Sequence, residues 1–281
     1  MEGSKLILIV SSNADVASKN IAQKVVEGYA FREESESFRE NPVYSQVLKE
    51  REVKLVTVDD DPVHAQYITD LLKPRLAIFV SRHSSRSGIP TLSVHTPGNL
   101  GEALYGGVPR KVSISPANPM RSALLEMVRQ KERLGLREFE VTYECTHHGP
   151  SLDVPAMFVE VGSTPEQWMN LKAAEAVAHA AIASITKASR CPAVLGVGGP
   201  HYNRRFTELA LEAELAFGHM IPKYAAASVD GEMVRQCIER TMEGVEMAVF
   251  DWKGIDGENR RRIVRFLEEE GVRVRRTRDL E

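Results

Sequence analysis

The chain has 281 residues, of which 43% are hydrophobic, so it holds enough apolar material for one large α/β domain or two modest ones. Its formal net charge of -3 excludes the strongly basic character typical of proteins that coat nucleic acid, and any site for a polyanion is therefore local. Three cysteines lie far apart, and none belongs to a CxxC pair, which favours a reducing compartment over a disulfide framework. We expect a soluble cytoplasmic protein that has no membrane partner.

Short apolar runs alternate with segments of helical spacing along the chain. The first run, residues 6–10, is too short to cross a bilayer and is interpreted as a strand. The predicted strands are residues 6–10, 53–58, 76–80, 91–94, 140–143, 157–161, 193–197 and 247–250. The predicted helices are residues 15–30, 119–134, 165–187, 204–217, 231–242 and 256–270.

This alternation determines the predicted fold. Unbroken apolar strands are typical of a sheet buried on both faces, and helices between them imply a mainly parallel arrangement. We therefore predict an α/β fold, a three-layer sandwich with a mainly parallel or mixed central sheet, in which residues 1–281 form a single domain. Residues 31–52 are polar, charged and aromatic and fit the alternation poorly, so we interpret them as an insertion or excursion.

Histidines collect where the predicted strands end. Five of the eight histidines closely follow an apolar run, namely His83, His95, His147, His148 and His201. In open α/β sheets the loops at the carboxyl ends of the strands converge, so we expect these five imidazoles to meet. A single loop histidine is most often a surface residue, but imidazole also suits general-base work near neutral pH and zinc binding. The pattern favours an active centre over five unrelated turns.

Two adjacent histidines can face one site only if the strand is interrupted. Neighbouring residues of a strand point to opposite faces, but Gly-Pro at residues 149–150 ends the strand and lets His147 and His148 converge. One of the pair could bind metal or activate water while the other orients it. Glu144 and Glu160 are the nearest carboxylates, and either could orient an imidazole or act as a base. The spacing matches no standard zinc motif, so metal binding is one alternative among these roles.

A second motif, GVGGPH at residues 196–201, is typical of a glycine turn that opens onto a helix. Glycine lets backbone amides approach an anion, and Arg204 and Arg205 add positive charge, so the turn could hold a phosphate or a carboxylate. A plain tight turn is the alternative. Eight arginines also crowd into residues 260–278, where they form either a solvated helix face and final strand or a patch for RNA phosphates.

Five ordered blocks together carry a resemblance to a known family. They are SRHSS at residues 81–85, HTPGNL at 95–100, CTHHGP at 145–150, FVEVGS at 158–163 and GGPHY at 198–202. In these blocks the sequence resembles the archaeal and plant type of D-aminoacyl-tRNA deacylase. Pro200 departs from the small residue expected in the glycine turn, and because proline has no N–H it offers no amide donor there.

The resemblance implies an enzyme that hydrolyses the ester between a D-amino acid and the 3'-terminal ribose of tRNA. It also implies zinc and a fold similar to purine nucleoside phosphorylase and peptidyl-tRNA hydrolase. The expected partner is D-aminoacyl-tRNA, and the expected oligomeric state is a monomer or a homodimer. The alternatives are a nucleoside phosphorylase-like enzyme, another zinc-dependent hydrolase and a non-catalytic RNA-binding module.

Under this hypothesis the residues of the five blocks take expected roles. The candidates for activating water or stabilising the oxyanion are His147, His148, Glu144, Glu160 and Thr146, together with the backbone amides of residues 198–201. The candidates for binding zinc are His147, His148, His201, His83 and His95. The candidates for holding tRNA are Arg82, Arg204, Arg205 and Lys223.

Overall fold

The computed structural model describes residues 5–187 and 190–280. The strands in chain order are β1 Ile7–Ser12, β2 Arg32–Phe38, β3 Asn41–Leu48, β4 Arg51–Val58, β5 Leu76–Arg82, β6 Thr91–His95, β7 Gly98–Asn99, β8 Lys111–Val112, β9 Glu140–Tyr143, β10 Ala156–Gly162, β11 Ala193–Val197, β12 Ala216–Ile221, β13 Met247–Phe250 and β14 Arg273–Arg276. The α-helices are α1 Val16–Gly28, α2 Ile68–Leu72, α3 Ala117–Leu134, α4 Pro165–Trp168, α5 Leu171–Thr186, α6 Arg204–Glu212, α7 Gly231–Glu239 and α8 Gly257–Glu269.

Eight strands form the larger sheet, in the order β2-β3-β4-β1-β5-β10-β6-β9. The four central strands β4, β1, β5 and β10 are parallel, whereas β6 runs antiparallel to β10 and β9 runs parallel to β6. Every residue of β1 and β10 is buried, which agrees with the unbroken apolar character of their sequences. The sheet is therefore mixed, with a parallel centre.

Four strands form a second sheet that is parallel throughout, in the order β12-β11-β13-β14. Helices α7 and α8 pack on one of its faces, with Met233 and Ile263 in the shared core. Helix α6 contributes Phe206 and Leu209 to the core on the other face. The two main sheets were not distinguished by the sequence patterns.

Helices or short helical segments cover both faces of the larger sheet. On one face, α1, α3 and α5 contribute Ile21, Met127 and Val177 to the main core. On the other face, Ile68 of α2 and Leu152 pack against alternate residues of the same strands. This arrangement confirms the predicted α/β fold with a mainly parallel or mixed central sheet. Among residues 5–187 and 190–280, no helix combines the length and the apolar character needed to cross a membrane.

The described elements differ from the predicted ones in three places. The helix predicted at residues 165–187 is divided into α4 and α5, because Asn170 between them caps α5 with its side chain. The helix predicted at 204–217 is wrong beyond Glu212, since residues 216–221 form β12. Residues 32–48, in the polar segment, form the antiparallel strands β2 and β3 at the edge of the larger sheet.

Candidate active site

The central strands of the larger sheet place the first candidate residues. Glu160 of β10 lies opposite Ser81 of β5, and Phe158 of β10 lies opposite His95 of β6. These four side chains share one face of the sheet, because paired residues point the same way and strand residues alternate. Ser81 Oγ donates to Glu160 Oε1 at 2.6 Å, and the His95 imidazole stacks on the Phe158 ring with centroids 5.2 Å apart. Ordinary strand pairing thus fixes a carboxylate and an imidazole side by side.

The histidines converge by a route that differs from the expected one. Because β6 and β9 run against β10, their carboxyl ends point away from those of β5 and β10. The expectation of one shared carboxyl edge is therefore wrong for His95 and for the residues after β9. His95 reaches Glu160 across the face of the sheet, where its Nδ1 lies 3.8 Å from Glu160 Oε2.

A left-handed backbone lets both adjacent histidines face the same place. His148 has a φ of 42°, which is uncommon for a residue other than glycine and interrupts the strand-like alternation. His147 Nδ1 is 2.8 Å from the Cys145 carbonyl oxygen, and His148 Nδ1 is 2.6 Å from that of Gly149. A carbonyl can only accept, so both Nδ1 atoms donate and both Nε2 atoms present a lone pair. His148 Nε2 lies 3.2 Å from His95 Nε2.

A second group of imidazoles surrounds the buried Glu144. Glu144 Oε2 lies 2.9 Å from His201 Nε2, 3.1 Å from His83 Nδ1 and 3.5 Å from His147 Nε2. His83 Nδ1 is also 3.5 Å from Glu160 Oε2, so one imidazole joins the two carboxylates. The structure therefore brings all five strand-end histidines and both glutamates into one cluster.

Burial and charge determine the protonation of this cluster. Burial lowers the pKa of His148 to about 4, which keeps this imidazole neutral near pH 7. Burial also lowers the pKa of His83, but the carboxylates of Glu144 and Glu160 outweigh it and raise the pKa of His83 to about 11. Burial raises the pKa of Glu160 to about 7. Burial acts on Glu144 in the same direction, but His83 and His201 outweigh it and hold the pKa of Glu144 well below its usual range.

Several buried polar atoms of the cluster lack a hydrogen-bond partner. His95 Nδ1, Glu144 Oε1 and Glu160 Oε2 have no hydrogen-bond partner within the part of the chain that the structure describes. The groups whose donor atoms lie within 4.8 Å of one another are His95, His147 and His148; His83, Glu144 and His201; and His95, Glu144 and Glu160. Imidazole nitrogens and carboxylate oxygens in groups of three are typical of catalytic metal sites. The cluster can therefore hold a metal ion.

Thr146 connects the cluster to the second sheet. The Met220 N–H donates to Thr146 Oγ1 at 3.1 Å, and Thr146 Oγ1 lies 3.1 Å from His219 Nδ1. His219 Nε2 faces the Arg240 carbonyl oxygen at 3.2 Å, so its proton lies on Nε2 and its Nδ1 accepts from the Thr146 hydroxyl. The single hydroxyl proton of Thr146 is thus used inside the fold.

The glycine turn positions His201, and two of its own amides donate to backbone carbonyls within the fold. The Gly198 N–H donates to the Ile221 carbonyl and the Gly199 N–H donates to the Gly254 carbonyl, both at 2.8 Å. The expectation that these two amides face an oxyanion is therefore wrong. The turn instead carries His201 from the end of β11 to Glu144.

Comparison with known proteins decides the family. A profile of the D-aminoacyl-tRNA deacylase family matches residues 71–275, which is most of the chain. The chain belongs to the D-aminoacyl-tRNA deacylase family. The deacylase of Pyrococcus abyssi is 38% identical over 274 residues, covering 94% of this chain and 97% of that protein. The deacylase of Methanosarcina acetivorans is 36% identical over 278 residues, covering 95% and 91%.

A solved structure supports the fold of this family member. The crystal structure of a conserved protein of unknown function superposes with a TM-score of 0.89 at 29% sequence identity. The superposition covers 100% of this chain and 98% of the other. The resemblance inferred from the five sequence blocks is confirmed by the family profile and the relatives.

In this member of the deacylase family, the four residues expected to hold tRNA differ in their surroundings. Arg82 is half-buried, and its guanidinium lies 3.4 Å from Asp61 Oδ2, which offsets part of its charge. Arg204 and Arg205 are exposed in the first turn of α6. Lys223 is exposed beside the glycine turn, where its N–H donates to the Gly199 carbonyl at 3.0 Å.

Two tyrosines at the edge of the site were missed by sequence reasoning. The Tyr224 hydroxyl lies 3.1 Å from His201 Nδ1, and Tyr105 lines the same cavity as four of the five clustered histidines. Tyr224 follows β12, a strand that the apolar pattern did not reveal. Tyr105 had a usable signal, because two large apolar residues stand next to two glycines in the sequence LYGG at residues 104–107.

Proposed function

We propose that this chain hydrolyses the ester bond between a D-amino acid and the 3'-terminal ribose of tRNA. Its relatives in Pyrococcus abyssi and Methanosarcina acetivorans bear the name D-aminoacyl-tRNA deacylase. The observation that carries the proposal is the buried cluster in which His83 joins Glu144 to Glu160 beside further imidazoles. The cluster opens into a cavity of about 470 Å³, a volume suited to an aminoacyl group.

Ester hydrolysis needs a water molecule that loses a proton as it attacks the carbonyl carbon. We assign Glu160 as the acceptor of this proton, and the contact of Ser81 with Oε1, which leaves Oε2 beside His83, supports the assignment. As the bond from the water oxygen to the carbonyl carbon forms, the bond from that carbon to the ribose oxygen breaks. The proton accepted by Glu160 then passes to the ribose oxygen, so free tRNA and the D-amino acid leave.

We infer that the metal ion of this site is zinc and that His95, His147 and His148 hold it. The hydrogen bonds from Nδ1 of His147 and His148 to backbone carbonyls orient both rings with the Nε2 lone pair toward the cluster. Glu160 Oε2 faces His95 Nδ1 at 3.8 Å, which is longer than a hydrogen bond. When bound, zinc supplies Lewis acidity to the ester group.

The rest of the substrate is recognised by charge and shape. We assign Arg204, Arg205 and Lys223 to phosphates of the acceptor end, since all three are exposed, and Arg82 lines the cavity itself. Selection of the D-amino acid comes from the shape of the cavity, because D and L esters carry the same reactive groups. Aminoacyl-tRNA is made in the cytoplasm, and we place the enzyme there.

The direct test uses D-tyrosyl-tRNA and two histidine variants. The purified protein should release D-tyrosine, and His148→Ala should lower the rate by roughly 100-fold or more, since it removes a central imidazole. His179→Ala is the matched control, because it removes an imidazole of α5 outside the cluster. Thermal unfolding of both variants checks that the fold is retained.

Two results would oppose the proposal. A rate for His148→Ala within about threefold of the parent would remove this residue from the mechanism. Phosphate-dependent release of a base from a nucleoside, without ester hydrolysis, would identify a nucleoside phosphorylase instead.

A further inference from the structure

A second cavity lies beside the two adjacent histidines. It has a volume of about 460 Å³, and it shares His147, His148 and Tyr105 with the cavity described above. Its remaining wall comes from the loop after β6 and the segment after β12, including Leu104 and Tyr224. The hydrolysis described above makes no use of this space, although it borders the same imidazoles.

The two cavities differ in the chemistry of their walls. The first carries charged side chains of both signs, namely the carboxylates of Asp15, Asp61 and Glu160 and the guanidinium of Arg82. The second has aliphatic and aromatic side chains together with uncharged polar ones, and Glu102 is the one carboxylate among the described residues that line it. The first cavity therefore suits a strongly polar group, and the second suits a flat, weakly polar group.

Three large side chains of the second cavity are unusually exposed. The exposed fractions are 80% for Leu104, 72% for Tyr105 and 57% for Tyr224. Single apolar residues are common on protein surfaces, but a group of them next to reactive side chains indicates a binding surface. The Tyr224 hydroxyl also lies 3.1 Å from His201 Nδ1, so this wall is in direct contact with the catalytic cluster.

The loop that presents Tyr105 is held tightly at its backbone. The Gly149 N–H donates to the Tyr105 carbonyl at 2.9 Å, and the Asn99 amide donates to the Gly106 carbonyl at 2.9 Å. At Gly107, a Cβ atom would stand 2.9 Å from the Cα of Gly149, so the two segments pack backbone to backbone. The exposed ring of Tyr105 is therefore presented by an anchored loop, which lowers the entropic cost of binding a ligand.

We propose that the second cavity binds the terminal adenosine of the tRNA, with its base against Leu104, Tyr105 and Tyr224, while the amino acid occupies the first cavity. This inference rests on the proposed function. The scissile ester joins the adenosine ribose to the amino acid, and His147 and His148 form the border between the two cavities.

The walls of the two cavities agree with this orientation. The α-ammonium group of an aminoacyl ester is strongly polar, and the first cavity offers it charged partners, including Asp61. The adenine base is flat and aromatic, and bases of single-stranded RNA stack on tyrosine rings. The opposite orientation would place the base among the charged side chains of the first cavity and away from Leu104 and Tyr224.

The test compares two substrates, D-tyrosyl-tRNA and the same aminoacylated tRNA whose 3'-terminal nucleotide lacks its base. The measured quantity is the ratio of the two kcat/KM values. The parent enzyme should favour the base by roughly 10- to 100-fold, the range expected for one stacked base. In the double variant Leu104→Ala with Tyr105→Ala, the ratio should fall to within about threefold of unity.

Two matched variants separate stacking from general damage. Tyr105→Phe keeps the aromatic ring and should keep the parental ratio. Val47→Ala removes an exposed apolar side chain from β3, which lies at the edge of the larger sheet, and should also keep it. Because Leu104 and Tyr105 are mostly exposed, the double variant should unfold at the parental temperature.

The remaining outcomes overturn either the adenosine site or the proposed deacylase function. A ratio near unity in the parent, or an unchanged ratio in the double variant, overturns the base site. An unchanged ratio with an altered preference between D-tyrosyl-tRNA and D-alanyl-tRNA would assign the second cavity to the amino acid and so also overturn it. If the parent hydrolyses no D-tyrosyl-tRNA at all, the proposed function has failed independently of the base site.

Discussion

Glu160 combines deep burial with incomplete hydrogen bonding. Its side chain is 3% exposed, Ser81 donates to Oε1, and Oε2 faces the imidazoles of His83 and His95. A buried carboxylate with one oxygen that lacks a hydrogen-bond partner lowers the stability of the fold, and such groups are concentrated at binding and catalytic sites. At the scale of single residues, this carboxylate is the strongest indication of chemistry in the fold.

Glu160→Gln should therefore lower the deacylation rate by roughly 100-fold or more, because the amide keeps the shape and the Ser81 contact but cannot accept a proton. The rate with D-tyrosyl-tRNA under single-turnover conditions is the measurement. Glu27→Gln, at a surface ion pair with Lys24 on α1, is the matched control and should keep the parental rate. A Glu160→Gln rate within about threefold of the parent would contradict the role as base.

The substitution Thr146→Val tests the stability of the fold and not the catalytic step. The substitution leaves His219 Nδ1 and the Met220 N–H buried without their hydroxyl partner, which should cost about 1–3 kcal/mol in the free energy of unfolding. Urea unfolding monitored by circular dichroism measures this. Unchanged stability together with a strongly reduced deacylation rate would show that the hydroxyl acts on the substrate instead.

Sequence alone could place the five histidines and both glutamates near one another, since each follows or ends a recognisable strand. It could not assign donors and acceptors. Thr146 is a plausible oxyanion donor in the sequence, and only the structure reveals its contact with His219. His219 itself lies in the middle of β12, where no pattern marked it.

At the scale of elements, the missed strands share a physical cause. The turns of the β2-β3 and β3-β4 hairpins have positive φ at both central residues, Arg39 and Glu40 in the first and Lys49 and Glu50 in the second. Such turns usually contain Asn-Gly or Asp-Gly, and because neither dipeptide is present here, the sequence does not predict these hairpins. Strand β12 has the sequence AFGHMI, in which the last residue is the one β-branched residue, so the sequence lacks the β-branched run typical of a strand.

Helix α3 is joined to the end of α5 through a buried carboxylate. Burial raises the pKa of Glu126, but hydrogen bonds from Arg129, Lys187 and Gln130 outweigh it and lower the pKa to about 2. Because this folded-state pKa lies below the ordinary value of 4.5, the carboxylate stabilises the fold fully above that pH. The stabilisation is then lost as the pH falls toward 2.

Glu126→Gln should accordingly reduce the pH dependence of stability. We expect the parent to lose more unfolding free energy than the variant between pH 7 and pH 3, and the variant to be less stable by roughly 1–2 kcal/mol at pH 7. Urea unfolding at the two pH values gives both quantities. Parallel pH profiles for parent and variant would show that Glu126 is not held in its charged form by the fold.

At the scale of the whole molecule, the site lies where two sheets meet. The larger sheet supplies Glu160 and His95, whereas the turn after β11 of the second sheet supplies His201. The alternation of strands and helices predicts the class of fold, but it cannot assign strands to separate sheets, because that depends on long-range pairing. The reversed direction of β6 and β9 was hidden for the same reason.

Removal of metal should affect activity and stability together, because the proposed ligands come from two separate segments of the fold, the end of β6 and the segment after β9. Dialysis against a strong chelator should abolish deacylation and lower the unfolding temperature, and added zinc should restore both. Full activity of a sample shown to be free of metal would end the zinc proposal while leaving the carboxylate chemistry open.

The central claim is that this cluster hydrolyses the ester of a D-amino acid on tRNA. The most direct measurement offers D-tyrosyl-tRNA and L-tyrosyl-tRNA side by side to the same enzyme and follows release of the amino acid. We predict release from the D ester at a rate at least about tenfold above that from the L ester, since a shaped cavity discriminates by roughly this factor or more. Equal rates for the two esters, or no release from either, would contradict the account.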